Sequence, residues 1–317
     1  MQLSNVYTSV PLTNVSLKYT NAMTDYISQL IAPIVPVAKD TGKIYSYGME
    51  NLRIVNTYRA VGGRPNIVET TVSSADHYVL EDHVLGEFVP EEIMENAEKP
   101  ISPLIDTTEA LTDRIWVDKE KALADTITNT SNITNNTTLS GTSQWSDYTN
   151  SDPLDDIDTG ISAVRGACGK TPNNLIMAWN VLQKLRFHPD IRDFFPGATK
   201  ITSDMIKSAI GSIFGIENML VGKAQYNNSN LGGTDTLADI WSKDVVVAYI
   251  EPRPTLRSRT FANTYQKKAP RAVQHLAQGK GGLETIQRKS DYVQVTDKYD
   301  QVLVDETCAY LIEAAIA

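Results

Sequence analysis

The chain has 317 residues, 41% of them hydrophobic and 21% charged, with a formal net charge of −9 and a pI near 5.0. This is ordinary globular composition, long enough for a sizeable core and, as a soft prior, for about two domains. The acidic balance excludes a chain drawn as a whole to nucleic acid or anionic membrane, and no apolar run approaches the roughly 18 residues of a membrane span.

Residues 1–37 alternate short apolar groups with Ser, Thr and Asn and include Pro11, Pro33 and Pro36. Leu17, Tyr19 and Met23 lack sustained helical spacing; only Tyr26, Ile27, Leu30 and Ile31 suit a short amphipathic helix, stopped by Pro33. Up to residue 37 the charged groups are Lys18 and Asp25 alone, too few for solvated disorder, so the segment is expected to lie as an arm on a neighbouring subunit. Next, Leu52, Ile54, Tyr58 and Ala60 alternate with Arg53, Thr57 and Arg59 at the strand period of two. Extended runs at 68–72 and 78–89 return, so residues 43–89 are expected to form a long two-stranded ribbon with Gly62-Gly63-Arg64-Pro65 at its tip. Such a ribbon is marginal alone in water, and its backbone polar groups need partners. Copies of the same chain would supply them. Arg59, Gly62, Gly63 and Arg64 are therefore candidate intersubunit contacts.

Pro90 and the acids Glu91, Glu92, Glu95 and Glu98 lead into one helix of roughly 30 residues, with Leu104, Thr108, Leu111, Ile115, Ala122 and Ile127 on its apolar side and Glu109, Asp113, Lys119 and Glu120 on its charged side. A Thr/Asn-rich stretch at 129–136 ends it, and an exposed loop runs to 150. Asp152-Pro153 has the cap-then-proline pattern of a helix start, with Asp155 and Asp156 suited to its positive end. Residues 175–178 read as a buried strand, 180–187 and 203–214 as helices (the second capped by Ser203), and 219–221 and 245–250 as strands of a compact α/β unit. The stretches 292–295, 302–304 and 309–312 again read as strands, expected to return to the long helix. The fold class is α+β, in five parts: 1–42, 43–89, 90–149, 150–250 and 251–317.

Little of the chemistry-bearing inventory forms a site. Gly166-Ala167-Cys168-Gly169-Lys170-Thr171 imitates a phosphate-cradling loop, but the position that needs glycine is Val164, the segment follows a helix, and Pro172 removes a donor. The histidines His77 and His83 share a strand face but stand about 20 Å apart, too far for one metal. No catalytic constellation, metal set or cofactor is expected. Cys168 and Cys308 lack metal-ligand or redox spacing and predict two reduced, buried side chains, with folding in the cytoplasm. One charge feature stands out: Arg253, Arg257, Arg259, Lys267, Lys268 and Arg271, with no acid among them and with Phe261 and Tyr265 interleaved. It reads as a solvated loop, as an intersubunit contact against the acidic 87–98 segment, or as a phosphate contact with enclosed nucleic acid.

The order of these parts resembles the major capsid proteins of tailed bacteriophages, with the Hong Kong 97 capsid fold. Local stretches are similar too: Ile31-Ala32-Pro33-Ile34-Val35-Pro36-Val37 before Gly42-Lys43, and Leu182-Gln183-Lys184-Leu185 before His188-Pro189. The resemblance implies an N-terminal arm (1–42), an extended β loop (43–89), a peripheral domain with a spine helix (90–149), an axial domain (150–250) and a return to the peripheral domain (251–317). It implies a structural protein, not an enzyme, that builds hexamers and pentamers of an icosahedral shell around double-stranded DNA, assembled in the host cytoplasm. Separate scaffolding, decoration and portal proteins are the implied partners, with no membrane. Because the arm begins close to Met1, no fused scaffolding segment is expected. An encapsulin-like nanocompartment shell is the alternative use of the same fold; a nucleotide-binding hydrolase acting through Lys170 is the alternative from another class.

Overall fold

A computed structural model describes residues 8–22, 25–47, 49–69, 72–73, 77–98, 101–196, 200–230, 232–280 and 283–317. The N-terminal segment is more helical than its spacing suggests: α1 (Val10–Ala22) precedes the expected short helix, α2 (Ser28–Ile31). It also lies on its own chain. Leu12 is buried with Leu111 and Ile115, and the Ser16 hydroxyl meets that of Thr112 at 2.7 Å. Strand β1 (Ile34–Pro36) follows.

The expected ribbon is laddered only at its base. There β2 (Thr41–Lys43) and β3 (Ser46–Tyr47) go out, and β4 (Val72–Ser73) and β5 (His77–Val79) return, pairing β2 with β5 and β3 with β4. From Arg53 to Glu69 the chain has no strand pairing; a turn at its tip is closed by Gly63 N–H to the Ala60 carbonyl at 2.9 Å. Gly62 takes φ +80° there, a conformation open to glycine at little cost. The two-stranded reading of this loop is thus corrected. Its alternation is real but has no neighbour to pair with.

The return leads into β6 (Glu81–Pro90), a short helix α3 (Glu91–Glu95) and the long helix α4 (Pro103–Ile127), which has 25 residues. A four-stranded sheet takes the order β1, then β13 (Ala262–Leu276), then β14 (Ser290–Leu303), then β6. The pairing is parallel between β1 and β13 and antiparallel elsewhere. One face packs Val273, Val293, Val295 and Val89 against Leu111 and Ile115 of α4. The stripe that α4 buries runs Thr108, Leu111, Thr112, Ile115, Trp116, Lys119, Glu120, Leu123, Ala124, Ile127, at alternating steps of three and one. Lys119 and Glu120, expected on the charged side, are therefore inside, and Ala122 faces solvent.

Strand β7 (Asn136–Thr138) and helix α5 (Pro153–Cys168) open the second layer. The Asp152 carboxylate caps α5 by accepting from the N–H groups of Leu154 and Asp155, and Gly169 ends it at φ +70°. Then come β8 (Asn174–Ala178), α6 (Trp179–Leu185), α7 (Pro189–Asp193), α8 (Ser203–Phe214) and β9 (Asn218–Gly222). The cap of α8 is Thr202, not Ser203: its hydroxyl accepts from Met205 N–H at 3.3 Å. A small hairpin of β10 (Gln225–Asn227) and β11 (Leu237–Asp239) precedes β12 (Val245–Ala248), and α9 (Leu283–Gln287) joins the two long strands of the other sheet.

The five-stranded sheet has the order β7, β15 (Ala309–Glu313), β12, β8, β9. Strands β8 and β12 are buried at every position, which is why they read as continuous apolar runs without alternation. Helix α5 presses close to this sheet; a Cβ on Gly160 would come within 2.9 Å of the Tyr310 ring. The last strand was expected on the long helix, but β15 pairs with β12 and β7, so the return after residue 251 divides between both sheets. Cys168 and Cys308, expected reduced, form a disulfide that ties the end of α5 to the start of β15. Both are buried, as expected.

Candidate assembly surfaces

The arm leaves a long stretch of the chain uncovered. All residues from Met49 to Glu69 are exposed, including Arg59, Gly62, Gly63 and Arg64. Relative exposure reaches 101% at Ile54, 79% at Tyr58, 106% at Val61 and 90% at Ile67. Isolated exposed apolar residues are normal, but four on one projecting loop form a patch of the kind that marks an interaction site. Three arginines and no acid lie between Arg53 and Ile67. The carbonyl of Asn56 accepts from the Asn66 side chain at 2.5 Å, and Asn56 Oδ1 accepts from Tyr58 N–H at 2.9 Å, so the two limbs are tied locally without a ladder.

The basic group at 253–271 does not form one patch. Arg259 donates from Nε to Asp305 at 2.6 Å and from Nη2 to Thr307 at 3.2 Å. Arg271 is buried and donates to Asp297 at 2.7 Å. Lys267 pairs with Asp40, and its hydrogen bond holds that carboxyl below its usual range. Phe261 and Tyr265, read as interleaved aromatics, are fully buried. Arg253, Arg257 and Lys268 remain exposed. Sequence reasoning could not see these pairings, because each partner acid is remote in the chain.

Two residues that the sequence placed in solvent hold the layers together. The Glu120 carboxylate, fully buried, accepts from Ile27 N–H at 3.0 Å, Ser28 N–H at 2.7 Å and Trp241 Nε1–H at 2.7 Å. One side chain thereby joins the start of α2, the long helix and the segment before β12. Lys119 lies 4.1 Å from the Tyr299 ring centroid and 5.0 Å from that of Trp116. Burial pushes its ammonium down to about 8, against a partial opposing pull from Asp297.

One arrangement imitates a catalytic triad. Ser151 Oγ is 3.0 Å from His188 Nε2, and His188 Nδ1 is 3.3 Å from an Asp190 carboxylate oxygen. The protons run the wrong way. Nδ1 accepts from Asp190 N–H, which leaves the ring proton on Nε2, and Ser151 already donates to the Asp147 carbonyl at 2.7 Å. A triad needs Nδ1–H toward the carboxylate and a bare Nε2 toward the serine. This is the cap of α7, and burial holds His188 below its usual range.

The Gly169-Lys170-Thr171 segment follows a helix and precedes β8, the reverse of a phosphate loop, and Lys170 lies over the Tyr249 ring at 5.4 Å. Among the described residues, the one grouping close enough to share a metal ion is Cys168, Asp305 and Cys308, whose sulfurs are already bonded to each other.

No protein-family model matches the chain. Over 310 residues it is 29% identical to the major capsid protein of Burkholderia phage BcepMu, covering 95% of this chain and 94% of that one. Its fold is similar to that of a phage-related protein from Bordetella bronchiseptica, with TM-score 0.75, 24% identity and 97% of each chain covered. It is also similar to the encapsulin of Synechococcus elongatus, with TM-score 0.53, 12% identity and coverage of 99% of this chain and 93% of that one; this likeness is one of fold alone. Among the described residues, no helix is long and apolar enough to cross a membrane.

Proposed function

We propose that this chain, a structural capsid protein with the Hong Kong 97 fold, assembles as hexamers and pentamers into an icosahedral shell around viral double-stranded DNA. The arm from Arg53 to Glu69 carries the reading. It is exposed throughout, apolar at Ile54, Tyr58, Val61 and Ile67, and without strand pairing. Burying four such side chains offers about 6–12 kcal/mol of gross stabilisation. Immobilising a subunit consumes much of that, so single contacts are weak and the shell is held by their number.

In this reading residues 1–42 clamp the subunit's own spine helix, 43–89 reach the neighbour, and the units built on the two sheets act as the peripheral and axial domains. The exposed cations Arg253, Arg257 and Lys268 serve contacts with neighbours or with enclosed phosphate. The remaining three basic residues of that group, Arg259, Lys267 and Arg271, serve the subunit's own fold. Assembly takes place in the host cytoplasm, alongside separate scaffolding, decoration and portal proteins. The similarity to a curated phage capsid protein favours nucleic acid as the content, whereas a nanocompartment would hold cargo protein.

Negative-stain microscopy of the purified chain is expected to show closed shells of megadalton mass. Deleting residues 59–67 is expected to leave a folded monomer and no shells. Intact shells from the deletion would refute the arm's role, and a parent chain that stays monomeric at high concentration would refute the shell.

A further inference from the structure

Among the described residues, the four-stranded sheet ends on one side at β6, an edge strand ten residues long. Natural proteins seldom leave so long an edge open, because its unpaired N–H and C=O groups recruit another strand. Within β6, Glu81, Asp82, Val84, Leu85, Gly86 and Glu87 are exposed. The arm supplies the complementary object: a limb with the strand period of two in its sequence and no ladder. It does not lie on its own β6, since its side chains are open to solvent.

The spacing of charges on the two segments matches. Side chains on a strand alternate in face, so Arg53, Val55, Thr57 and Arg59 share one side of the limb once it is drawn out as a strand. On β6, Leu85 and Glu87 stand opposite Val295 and Val293, while Glu81 and His83 stand opposite Tyr299 and Asp297, so these four share the face that looks toward α4. Each quartet has like charges at its ends, six positions apart, and an exposed aliphatic residue two positions in from one end: Val55 at 42% and Leu85 at 38%. An antiparallel pairing brings both coincidences into register at once.

We propose that residues 53–59 of one copy add as an antiparallel strand to the β6 edge of another copy, with Arg53 opposite Glu87, Val55 opposite Leu85, Thr57 opposite His83 and Arg59 opposite Glu81. The inference rests on the shell reading and names the receptor surface that reading leaves open. Backbone pairing supplies the attachment, the two ion pairs fix direction and register, and Val55 covers Leu85. The ten steps from Leu52 to Gly62 reach about 33 Å when extended.

The test is a cross-link in assembled particles of the full chain carrying Val55→Cys and Leu85→Cys, with Asn56→Cys and Leu85→Cys as the opposite-face control. The native cysteines are buried and bonded to each other. After mild oxidation the 55/85 particles are expected to give a ladder of covalent multimers on non-reducing gels, removed by reductant and absent from unassembled protein. The 56/85 particles are expected to give at most a tenth of that yield. Shells without the 55/85 ladder, or equal ladders from both pairs, would overturn the proposed register while leaving the shell intact. A parent chain that forms no particles would instead remove the shell reading, and this inference with it. Charge exchange guards against a variant that fails to assemble for other reasons. Arg53→Glu with Arg59→Glu is expected to abolish particles, and adding Glu81→Arg with Glu87→Arg is expected to restore at least half the yield; no restoration would overturn the pairing.

Discussion

The long helix α4 and the arm at 53–69 treat their side chains in opposite ways. In α4 a lysine and a glutamate are fully inside. In the arm, isoleucine and valine are as open as in an extended peptide. Burial therefore follows whether the surroundings are complete, and residue hydropathy is a poor guide at either place. The buried face of the helix finds partners within its own chain; the arm finds almost none.

Removing a partner from the complete region should have the largest effect. Glu120→Ala orphans two buried backbone donors and one indole donor, at about 1–3 kcal/mol each, so a loss of roughly 3–9 kcal/mol is expected. That is a large part of a domain's whole stability. Urea unfolding of the unassembled chain measures it, and a loss below about 1 kcal/mol would mean that Glu120 is not the junction described here.

A smaller effect, of opposite sign, is expected at Lys119. Its folded-state value, about 8, lies below its ordinary 10.5, so above pH 8 the unfolded chain binds more protons and stability rises with pH up to about 10.5. Below pH 8 the buried charge is a constant burden. Lys119→Met should therefore stabilise the subunit by about 1–3 kcal/mol at pH 7, with the gain shrinking toward pH 10. Thermal melts at both pH values decide this, and a destabilised Met variant would show that the contacts with Trp116 and Tyr299 outweigh the burial. The smallest effect belongs to the arm: Ile54→Ser is expected to change monomer stability by less than about 0.5 kcal/mol. A loss above 1 kcal/mol in the same urea experiment would mean that the arm packs on its own subunit and that the comparison fails.

Local chemistry was legible in the sequence where it was self-sufficient. Asp152 followed by Pro153 marks the start of α5, the apolar runs mark β8 and β12, and Gly-Gly-Arg-Pro marks the arm's tip. The sequence was silent where a residue's environment comes from far away. Helix α1 is stabilised by a hydroxyl pair with Thr112 and by a few apolar contacts, and leaves no helical stripe. Lys119 and Glu120 look like a solvated face until Trp241, Tyr299 and the start of α2 are placed around them. The cations Arg259, Lys267 and Arg271 look free until Asp305, Asp40 and Asp297 arrive from other strands and loops. The arm could be recognised because its incompleteness is itself local. The β6 edge proposed to receive it becomes apparent only once the sheet is formed.

The bond between Cys168 and Cys308 has a topological consequence. It closes everything between them into a covalent hoop, with a separation of 140 positions, that includes β8, β9, β12 and both long strands of the other sheet. A protease that cuts the exposed stretch 232–237 would open the hoop into a line without releasing a fragment. After such a cut the two parts of the chain stay covalently joined until the sulfur bridge is broken as well.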